Sequence, residues 1–493
     1  MPARYLTAAA VRVAEAATGE LLANGTLMRR AAHGVAQVVA GELRARGGCY
    51  GGEVAIVAGA GDNGGDALYA GAALARRGVR VSAILLAPDK AHHEGLAAFR
   101  RAGGRVVADP PARVDVVIDG VVGIGGRGPL RPAAAAVFHT VDPQATIVAV
   151  DLPSGIDADT GEVHRPSVRA DITVTFGVRR NLHLLAAPEC GRVVLVDIGL
   201  PAAADEPGID VRITPSGRTP TGSTQLWSPF DHEIADRWPV PGPHDDKYSQ
   251  GVVGVIAGSQ RYPGAGILCT GAAVAATSGM TRYVGSAYAA VLARFPEVVA
   301  VADLASAGRV QAWVIGPGMG TDAAALELVR TILATDLPVL VDADALTVLA
   351  AHPHLVIARD APTLLTPHAG EFARLAGRPV GADRLAAVTA LAQRLGVTVL
   401  LKGRITLVAE SDGTVFGLDA GASWAATAGA GDVLAGIAGA LLAAGCSPLW
   451  AGAAAARVHA GAARLASGGA PIGASDLLAA LRPAIRELRN CRN

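Results

Sequence analysis

The sequence has few lysines, few aromatic side chains and no excess of charge of either sign. Lysine supplies three of the 43 basic residues, at Lys90, Lys247 and Lys402, and aromatic residues make up 4% of the chain. The 43 acidic residues bring the formal net charge to zero, which argues against a nucleic-acid partner and against binding to an anionic membrane. With 51% hydrophobic and 17% charged residues, the chain does not belong to the intrinsically disordered class.

Cysteine pairs and long apolar segments are also missing. The five cysteines form no CxxC pair, which argues against a disulfide framework or a thiolate zinc site and indicates a reducing compartment. The most apolar stretch, 433–446, has 14 residues, so it predicts a buried helix; a bilayer span needs ~20. The first residues lack the apolar segment of a secretory signal. We therefore expect a cytoplasmic protein without a membrane partner.

Glycine, in contrast, is abundant, with 61 residues, and favours tight turns and close backbone approach to phosphate. Short β-branched runs alternate with Ala-rich helical segments over 53–196 and again over 251–409. This alternation predicts an α/β protein with two doubly wound domains built on parallel sheets. Between them, Pro, Gly, Ser and Thr accumulate and periodicity is lost. We predict domains at 1–215 and 246–493, joined by a Pro/Gly-rich connection at 216–245.

The first glycine-rich turn, GAGDNGGD at 59–66, links a buried strand to a helix and is suited to binding an anion. Two further strands end in Asp119 and Asp151, and Ser154 follows closely. Because the carboxyl ends of parallel strands share one edge, we expect these side chains to converge with Asn63. Helix capping is the alternative for each residue taken alone. Oxygen ligands without His or Cys suit an alkali or alkaline-earth cation.

GAGDNGGDAL and VAVDLPSGID resemble motifs of the YjeF N-terminal domain family, whose Rossmann-like members are NAD(P)H-hydrate epimerases. The resemblance implies substrate contact at Asp151 and a K⁺ ion held by Asn63, Asp119 and Ser154. It also implies two substrate-binding loops, formed by Asp62, Asn63, Gly64, Gly65 and Asp66 and by Gly123, Ile124, Gly125, Gly126, Arg127, Gly128 and Pro129. The family usually has Asn where this chain has Asp62, and Gly where it has Ala67. Epimerisation requires loss and re-addition of water or ring opening, and Asp151 is the candidate to move the proton.

A second turn, TAGAGD at 427–432, precedes the long apolar helix. Its backbone N–H groups would stabilise developing negative charge, and Asp432 in the first helical turn would act as a base for phosphoryl transfer to a hydroxyl. A favourable interaction with the helix dipole is the alternative for Asp432. Lys402 ends a buried strand, where it either contacts phosphate or extends along the surface. His368 follows another strand and is a candidate ligand because of that position.

This half resembles the ribokinase-like ADP/ATP-dependent NAD(P)H-hydrate dehydratases through five segments in order: AGSQRYPGA, IGPGMG, TPHAGE, KGRIT and AGAGDVLAGIAGALLA. The resemblance implies that Ala265, Gly318, His368 and Asp432 contact the hydrate. It implies an adenine-nucleotide site at Lys402, Gly403, Arg404, Ile405, Thr406 and Gly431, with Mg²⁺ neutralising the phosphates. KGRIT is bulkier than the family's usual loop, and GAGD stands where the family has GTGD.

The two resemblances together predict a bifunctional repair enzyme for the small molecules NADHX and NADPHX. The N-terminal half would interconvert the R and S forms, and the C-terminal half would dehydrate the S form with ADP or ATP, releasing AMP or ADP and phosphate. One alternative is a ribokinase-type kinase with a regulatory N-terminal domain, and another gives that domain only a binding or scaffolding role. The sequence leaves open the nucleotide donor, the preferred hydrate and whether the chain forms a homo-oligomer.

Overall fold

The computed structural model of the chain describes residues 2–200, 224–357 and 359–491. The chain folds into two compact units, one within Arg4–Gly217 and one within Arg218–Asn493. The expected boundary at 215 and 216 lies outside the described residues. Each unit contains mainly parallel strands with helices between them, so the predicted α/β class with two doubly wound domains is confirmed.

The strands of the N-terminal unit are β1 (Ala3–Leu6), β2 (Glu53–Ala58), β3 (Arg80–Leu85), β4 (Arg105–Val106), β5 (Val116–Gly120), β6 (Thr146–Val150), β7 (Ile172–Phe176), β8 (Arg179–Arg180) and β9 (Arg192–Val196). Seven of them form a parallel sheet in the order β4-β3-β2-β5-β6-β7-β9. β1 and β8 pair in parallel, with Tyr5 opposite Arg179. The strand order reverses next to β2, where a doubly wound sheet opens its ligand crevice.

The helices of this unit are α1 (Ala8–Ala16), α2 (Glu20–Ala23), α3 (Thr26–Ala45), α4 (Asp62–Ala75), α5 (His93–Arg101), α6 (Pro132–His139), α7 (Leu182–Leu185) and α8 (Ala187–Cys190). Alternate residues of β2 face opposite sides of the sheet, as strand geometry requires. Ile56 packs with Val35 of α3 and Leu68 of α4, while Val57 packs with Phe138 of α6 on the other face. Helices therefore cover both faces of this sheet.

The strands of the C-terminal unit are β10 (Gln225–Ser228), β11 (Val252–Ile256), β12 (Met280–Val284), β13 (Val299–Val301), β14 (Ala312–Ile315), β15 (Val339–Val341), β16 (Thr363–Leu365), β17 (Thr398–Leu401), β18 (Ile405–Ala409) and β19 (Thr414–Asp419). They pair in the order β13-β12-β11-β14-β15-β16-β17-β18-β19-β10. Pairing is parallel from β13 to β17 and antiparallel on both sides of β18. The order reverses beside β11, which again marks a ligand crevice.

The helices of this unit are α9 (Asp231–Arg237), α10 (Pro263–Ala276), α11 (Tyr288–Arg294), α12 (Ala323–Leu333), α13 (Ala343–Ala351), α14 (His354–Ile357), α15 (Ala369–Ala376), α16 (Arg384–Leu395), α17 (Ala430–Ala443), α18 (Pro448–Ser467), α19 (Ala474–Ala479) and α20 (Leu481–Asn490). The apolar stretch found in the sequence forms α17, which is buried on nearly all sides. A Cβ at Gly439 would lie 1.9 Å from Val314 Cγ2, so this helix lies directly against the sheet. Among the described residues, no helix combines the length and apolarity needed to cross a bilayer.

The connection expected at 216–245 contains regular secondary structure in the part that is described. β10 and α9 lie within it, and Leu226, Ile234 and Trp238 are buried. Arg457 of α18 binds Asp231 through two hydrogen bonds of 2.5 and 2.6 Å, which fix the start of α9. The sequence pattern misses both elements because they are short and lie between prolines and glycines.

Candidate active sites

The carboxyl ends of three adjacent strands in the N-terminal unit bring polar side chains together. Asp119 lies near the end of β5 and is fully buried. Its Oδ2 accepts a 2.8 Å hydrogen bond from the Ser154 backbone N–H, and its Oδ1 accepts a 2.7 Å bond from the Ser154 hydroxyl. Burial raises the pKa of Asp119 to about 6, although the Ser154 hydrogen bonds act in the opposite direction.

Asn63, in the first turn of α4, is connected to Asp119 and Ser154 through the loop that follows β5. Its amide Nδ2 donates to the carbonyls of Val122 at 3.1 Å and Val150 at 2.6 Å. The Val122 N–H donates in turn to the Ser154 hydroxyl at 3.2 Å. The three residues expected to hold a cation, Asn63, Asp119 and Ser154, therefore belong to one hydrogen-bonded network.

The second loop approaches the same network at its beginning. A Cβ at Gly123 would lie 2.5 Å from Asn63 Oδ1, so this position leaves space only for glycine. Gly126 donates its N–H back to the Gly123 carbonyl at 2.8 Å, which closes a turn. Arg12 of α1 donates to the Ile124 carbonyl at 3.4 Å. Farther along the loop, Gly125, Arg127 and Pro129 are exposed and Gly128 is half-buried with a φ of 75°.

Asp151 follows β6 in the left-handed region, with a φ of 66° that is unusual for a residue with a Cβ. Its Oδ1 is 2.9 Å from Arg180 Nη2 and accepts a 3.0 Å hydrogen bond from the Thr175 hydroxyl. The carboxylate and the guanidinium are both buried. These two partners hold the carboxylate of Asp151 in a fixed orientation.

His183 fixes the backbone of the same turn. Its Nδ1 accepts from the Arg180 N–H at 2.9 Å, so its Nε2 carries the proton and donates to the Asp151 carbonyl at 2.8 Å. Burial lowers the pKa of His183 to about 4, which keeps the ring neutral. The unusual backbone conformation of Asp151 is thus held in place by a neutral imidazole.

Asp62, Gly64, Gly65 and Asp66 complete the first loop as the opening turns of α4. Asp62 is exposed at the helix start, whereas Gly64 and Gly65 are buried. Cβ atoms at the two glycines would lie 2.3 Å from the Gly59 carbonyl oxygen and 2.9 Å from the His92 ring. Asp66 is buried, and burial raises its pKa well above the usual range.

In the C-terminal unit, the turn before α17 lies beside a half-buried lysine. Gly429 adopts a φ of 84° at the helix start, and Asp432 lies in the first turn. Lys402 follows β17 and forms an ion pair with Asp342, whose Oδ1 lies 2.8 Å from the ammonium. A Cβ at Gly431 would be 3.4 Å from Lys402 Nζ and 3.9 Å from Asp342 Oδ2. The ammonium and a carboxylate therefore face the backbone N–H groups of this helix end.

Charge and burial act together on these groups. Burial raises the pKa of Asp432 to about 7, and the charge of Asp342 adds to this effect. Burial lowers the pKa of Lys402, but Asp342 and Glu371 outweigh it and the net direction is upward. Lys402 thus stays protonated, while Asp432 is balanced between its acid and base forms near neutral pH.

His368 lies at the start of α15 and caps that helix. Its Nδ1 accepts from the N–H groups of Gly370 at 2.9 Å and Glu371 at 3.3 Å. Its Nε2 lies 3.4 Å from Glu371 Oε1, and Glu371 Oε2 lies 3.5 Å from Lys402. His368 thus caps α15, and Glu371 also links it to the lysine.

A cavity of about 220 Å³ lies beside the turn that precedes α17. Its lining includes five of the six residues expected to bind nucleotide, namely Lys402, Gly403, Arg404, Thr406 and Gly431. Ile405 is the exception, because it starts β18 and its side chain is buried. Trp424 and His459 line the cavity as well. His459 donates from Nε2 to the Ala430 carbonyl at 2.8 Å, and burial lowers its pKa to about 4.

Ala265 and Gly318, expected to contact the hydrate, lie next to each other. A Cβ at Gly318 would be 2.8 Å from the Ala265 Cβ, and Gly318 has a φ of 62°. The Gly258 N–H donates to the Pro317 carbonyl at 2.6 Å, which joins the turns after β11 and β14. The structure therefore brings these two positions together at the crevice of the C-terminal sheet.

Sequence reasoning missed Arg180, Thr175 and His183 in the first unit and Asp342 and Glu371 in the second. Asp342 carries a signal that was available, since it directly follows β15 as Asp151 follows β6. The remaining four depend on tertiary contacts. No group of three His, Cys, Asp or Glu side chains arranged for a metal ion occurs in the described part of the chain.

Two family models match the chain, one on each unit. The model described as YjeF-related protein N-terminus matches residues 24–181. The model described as NAD(P)H-hydrate dehydratase matches residues 253–481. The site at the edge of β5 and β6 lies in the first match, and the site around Lys402 and Asp432 lies in the second.

Curated relatives match both units at once. The bifunctional NAD(P)H-hydrate repair enzyme Nnr of Mycobacterium leprae is 57% identical over 443 residues, covering 90% of this chain and 89% of the relative. The enzyme of the same name from Mycobacterium tuberculosis is 56% identical, with the same coverage of each chain. The chain belongs to the family of bifunctional NAD(P)H-hydrate repair enzymes.

Among solved structures, similarity is found to an ADP/ATP-dependent NAD(P)H-hydrate dehydratase from Bacillus subtilis, co-crystallised with ATP/Mg²⁺. That protein is 25% identical, with a TM-score of 0.48, and the match covers 52% of this chain and 97% of that one.

Proposed function

We propose that the chain repairs hydrated NAD(P)H with two activities, assigned to 1–215 and 246–493. The N-terminal half interconverts R- and S-NAD(P)HX, and the C-terminal half dehydrates the S form using ADP or ATP. The observation that carries the proposal is the cavity beside α17, whose lining combines Lys402 and Gly431 next to the Asp432 turn. Membership of the family supports both activities.

In the C-terminal half, Asp432 is the base that takes the proton from the ring hydroxyl of the hydrate. Its carboxyl has a pKa raised to about 7 by burial, which suits proton transfer near neutral pH. The hydroxyl oxygen then attacks the terminal phosphoryl group of the nucleotide. The N–H groups of 429–431 stabilise the developing charge together with Lys402. Phosphate leaves the ring carbon more readily than hydroxide does. Its departure, with loss of a proton from the neighbouring ring carbon, forms the C=C bond of reduced nicotinamide.

The nucleotide phosphates lie, in this proposal, where Lys402 and the start of α17 meet. The buried carboxylates of Asp342 and Glu371 hold the ammonium at 2.8 and 3.5 Å, so Lys402 is positioned before the nucleotide binds. Carboxylate oxygens also suit Mg²⁺, and Asp342 is the residue we assign to it. Mg²⁺ would supply neutralisation of phosphate charge when the nucleotide is bound.

In the N-terminal half, Asp151 moves the proton during epimerisation. Its ion pair with buried Arg180 and its hydrogen bond from Thr175 fix the position of the carboxylate. The loops at 62–66 and 123–129 flank it and are assigned to the hydrate. The glycines of both loops, of which Gly64 and Gly65 are buried, allow the backbone to approach a ligand closely.

The donor set of Asn63, Asp119 and Ser154 fits K⁺. It offers an amide, a carboxylate and a hydroxyl, which are hard oxygen donors, and a Cβ at Gly123 would fill the space beside Asn63 Oδ1. K⁺ would supply positive charge near the substrate when bound.

The test uses purified full-length protein and a mixture of R- and S-NADHX with Mg²⁺ and K⁺. ADP or ATP is added in parallel, and the return of reduced-nicotinamide absorbance is followed. We expect complete recovery, faster than spontaneous epimerisation allows, and the faster nucleotide identifies the donor. Recovery of the S fraction alone would mean that the N-terminal half is a binding module without epimerase activity. A stable phosphorylated product without phosphate release would indicate a kinase.

A further inference from the structure

Asp66 is a buried carboxyl group, and one of its two oxygens has no hydrogen-bonding partner among the described residues. It lies in the second turn of α4, 6% exposed, on the loop assigned to the hydrate. Its Oδ1 is inaccessible to solvent and accepts no hydrogen bond from the described part of the chain. A buried polar atom left in this state is costly, so its retention points to a ligand that supplies the missing partner.

The charged groups that act on the pKa of Asp66 are acidic. Asp151, Asp62 and Glu15 act on it by charge repulsion, and burial adds the largest effect, so the pKa of Asp66 is raised well above its usual range. Asp151 lies in the opposite environment, since Arg180 and Thr175 contact its Oδ1. The two carboxyl groups thus lie in contrasting surroundings, Asp66 beside acidic groups and Asp151 against a guanidinium.

Two carboxyl groups in such contrasting surroundings are suited to separate acid and base roles. Resting on the proposed epimerase function, we propose that Asp66 is the proton donor of the epimerisation, acting opposite Asp151. With Asp66 as the proton donor, epimerisation proceeds by loss and re-addition of water and not by ring opening. A ring-opening route takes a proton from the hydroxyl, which needs a base first, whereas water loss needs an acid at the hydroxyl oxygen.

The proposed epimerisation has two stages, loss of water and addition of water. Asp66 gives its proton to the hydroxyl oxygen, the C–O bond breaks, and its electron pair leaves with the departing water. The lone pair of the neighbouring ring nitrogen forms a C=N⁺ bond to the same carbon. A water molecule then adds to the other face, the C=N⁺ electrons return to nitrogen, and Asp151 accepts the released proton. Proton exchange with solvent returns both carboxyl groups to their starting forms.

The experiment measures inversion of R-NADHX by the full chain in H₂¹⁸O with K⁺ and without nucleotide, after subtraction of the spontaneous rate. We expect each enzymatic inversion to place one ¹⁸O on the ring carbon. D66N is expected to lose roughly 100-fold or more of the enzymatic rate, the usual scale for general acid catalysis. Because asparagine keeps the shape of the side chain, NADHX should still bind to D66N, as measured by equilibrium dialysis.

D89N, which alters an exposed carboxylate of the same unit, is the matched control and should retain the wild-type rate. A D66N rate within tenfold of wild type would overturn the proposal, and so would inversion without ¹⁸O uptake. If D66N does not fold, ¹⁸O uptake by the wild-type enzyme decides between the two routes. Absence of any enzymatic inversion by wild type is a different result, because it refutes the epimerase function itself.

Discussion

The half-buried Lys402 and the buried Asp342 form an ion pair, with 2.8 Å between Nζ and Oδ1, at the point where β15 and β17 end. Glu371 adds a second carboxylate 3.5 Å from the same ammonium. Removing one partner of a buried pair leaves the other charge uncompensated, which typically costs about 3–5 kcal/mol. The arrangement therefore supports both the stability of the C-terminal unit and the proposed phosphate contact.

The first prediction follows from this pair. K402A should lower the melting temperature of the full chain and raise the KM for the nucleotide, because two buried carboxylates lose their cation. Differential scanning calorimetry and steady-state dehydration rates measure the two effects. K247A removes an exposed lysine of the same unit and should change neither quantity. A stable K402A protein with an unchanged nucleotide KM would contradict the assignment.

The second prediction concerns the pH dependence of dehydration. Burial raises the pKa of Asp432 to about 7, and the base form is the one that accepts the proton. The value of kcat/KM should therefore rise with pH up to about 7 and level off above it. D432N should be slower by roughly 10²–10⁴-fold, with no step at this pH. A wild-type profile that is flat between pH 5.5 and 8.5 would contradict the role of Asp432.

The same group sets a pH dependence of stability. The pKa is higher in the folded than in the unfolded protein, so the folded state binds the proton more tightly. Stability is therefore lost as pH rises from the unfolded value towards about 7, and D432N removes that loss. D432N should raise the melting temperature more at pH 8 than at pH 5, as measured by calorimetry without nucleotide. An equal or smaller gain at pH 8 would count against a buried, ionising Asp432.

The third prediction concerns the space beside Asn63. A Cβ at Gly123 would lie 2.5 Å from Asn63 Oδ1, so G123A should displace this side chain and abolish most epimerase activity. Dehydration of S-NADHX by the other unit should continue, and that rate is the internal measure of folding. G41A is the control, since a Cβ there meets no atom within 4 Å on α3. Epimerisation by G123A at the wild-type rate would show that Asn63 is not needed in its present position.

The fourth prediction tests the proposed K⁺ site. S154A removes the hydroxyl that bonds to Asp119 at 2.7 Å, and it also leaves the Val122 N–H without its acceptor. We expect wild type to melt at a higher temperature in KCl than in NaCl at equal ionic strength, and S154A to lose that difference. S82A alters another buried serine, on β3, and should keep the K⁺ response. An unchanged response in S154A would remove Ser154 from the site.

Much of the site was predictable because it depends on strand ends. Asp119 and Asp151 follow β-branched runs, and parallel pairing of β5 with β6 brings those ends together. Arg180 was not predictable, because it lies 29 residues beyond Asp151 on a two-residue strand that pairs with β1. Ile405 was assigned to the nucleotide with its neighbours, but its side chain is buried at the start of β18 and does not line the cavity. Local pattern therefore locates strand ends, while side chains from distant segments need the tertiary fold.

The glycines of α17 have a consequence beyond packing. Cβ atoms at Gly436 and Gly439 would lie 2.1 Å from the Cys269 carbonyl and 1.9 Å from Val314 Cγ2, so the helix axis is fixed against α10 and β14. The start of that helix carries the N–H groups that would meet developing charge, and these dipoles are oriented before any substrate arrives. Gly436 and Gly439, which are not among the proposed reacting residues, thus determine the direction of these dipoles. A substitution at Gly436 or Gly439 would therefore displace these dipoles while leaving every proposed reacting side chain unchanged.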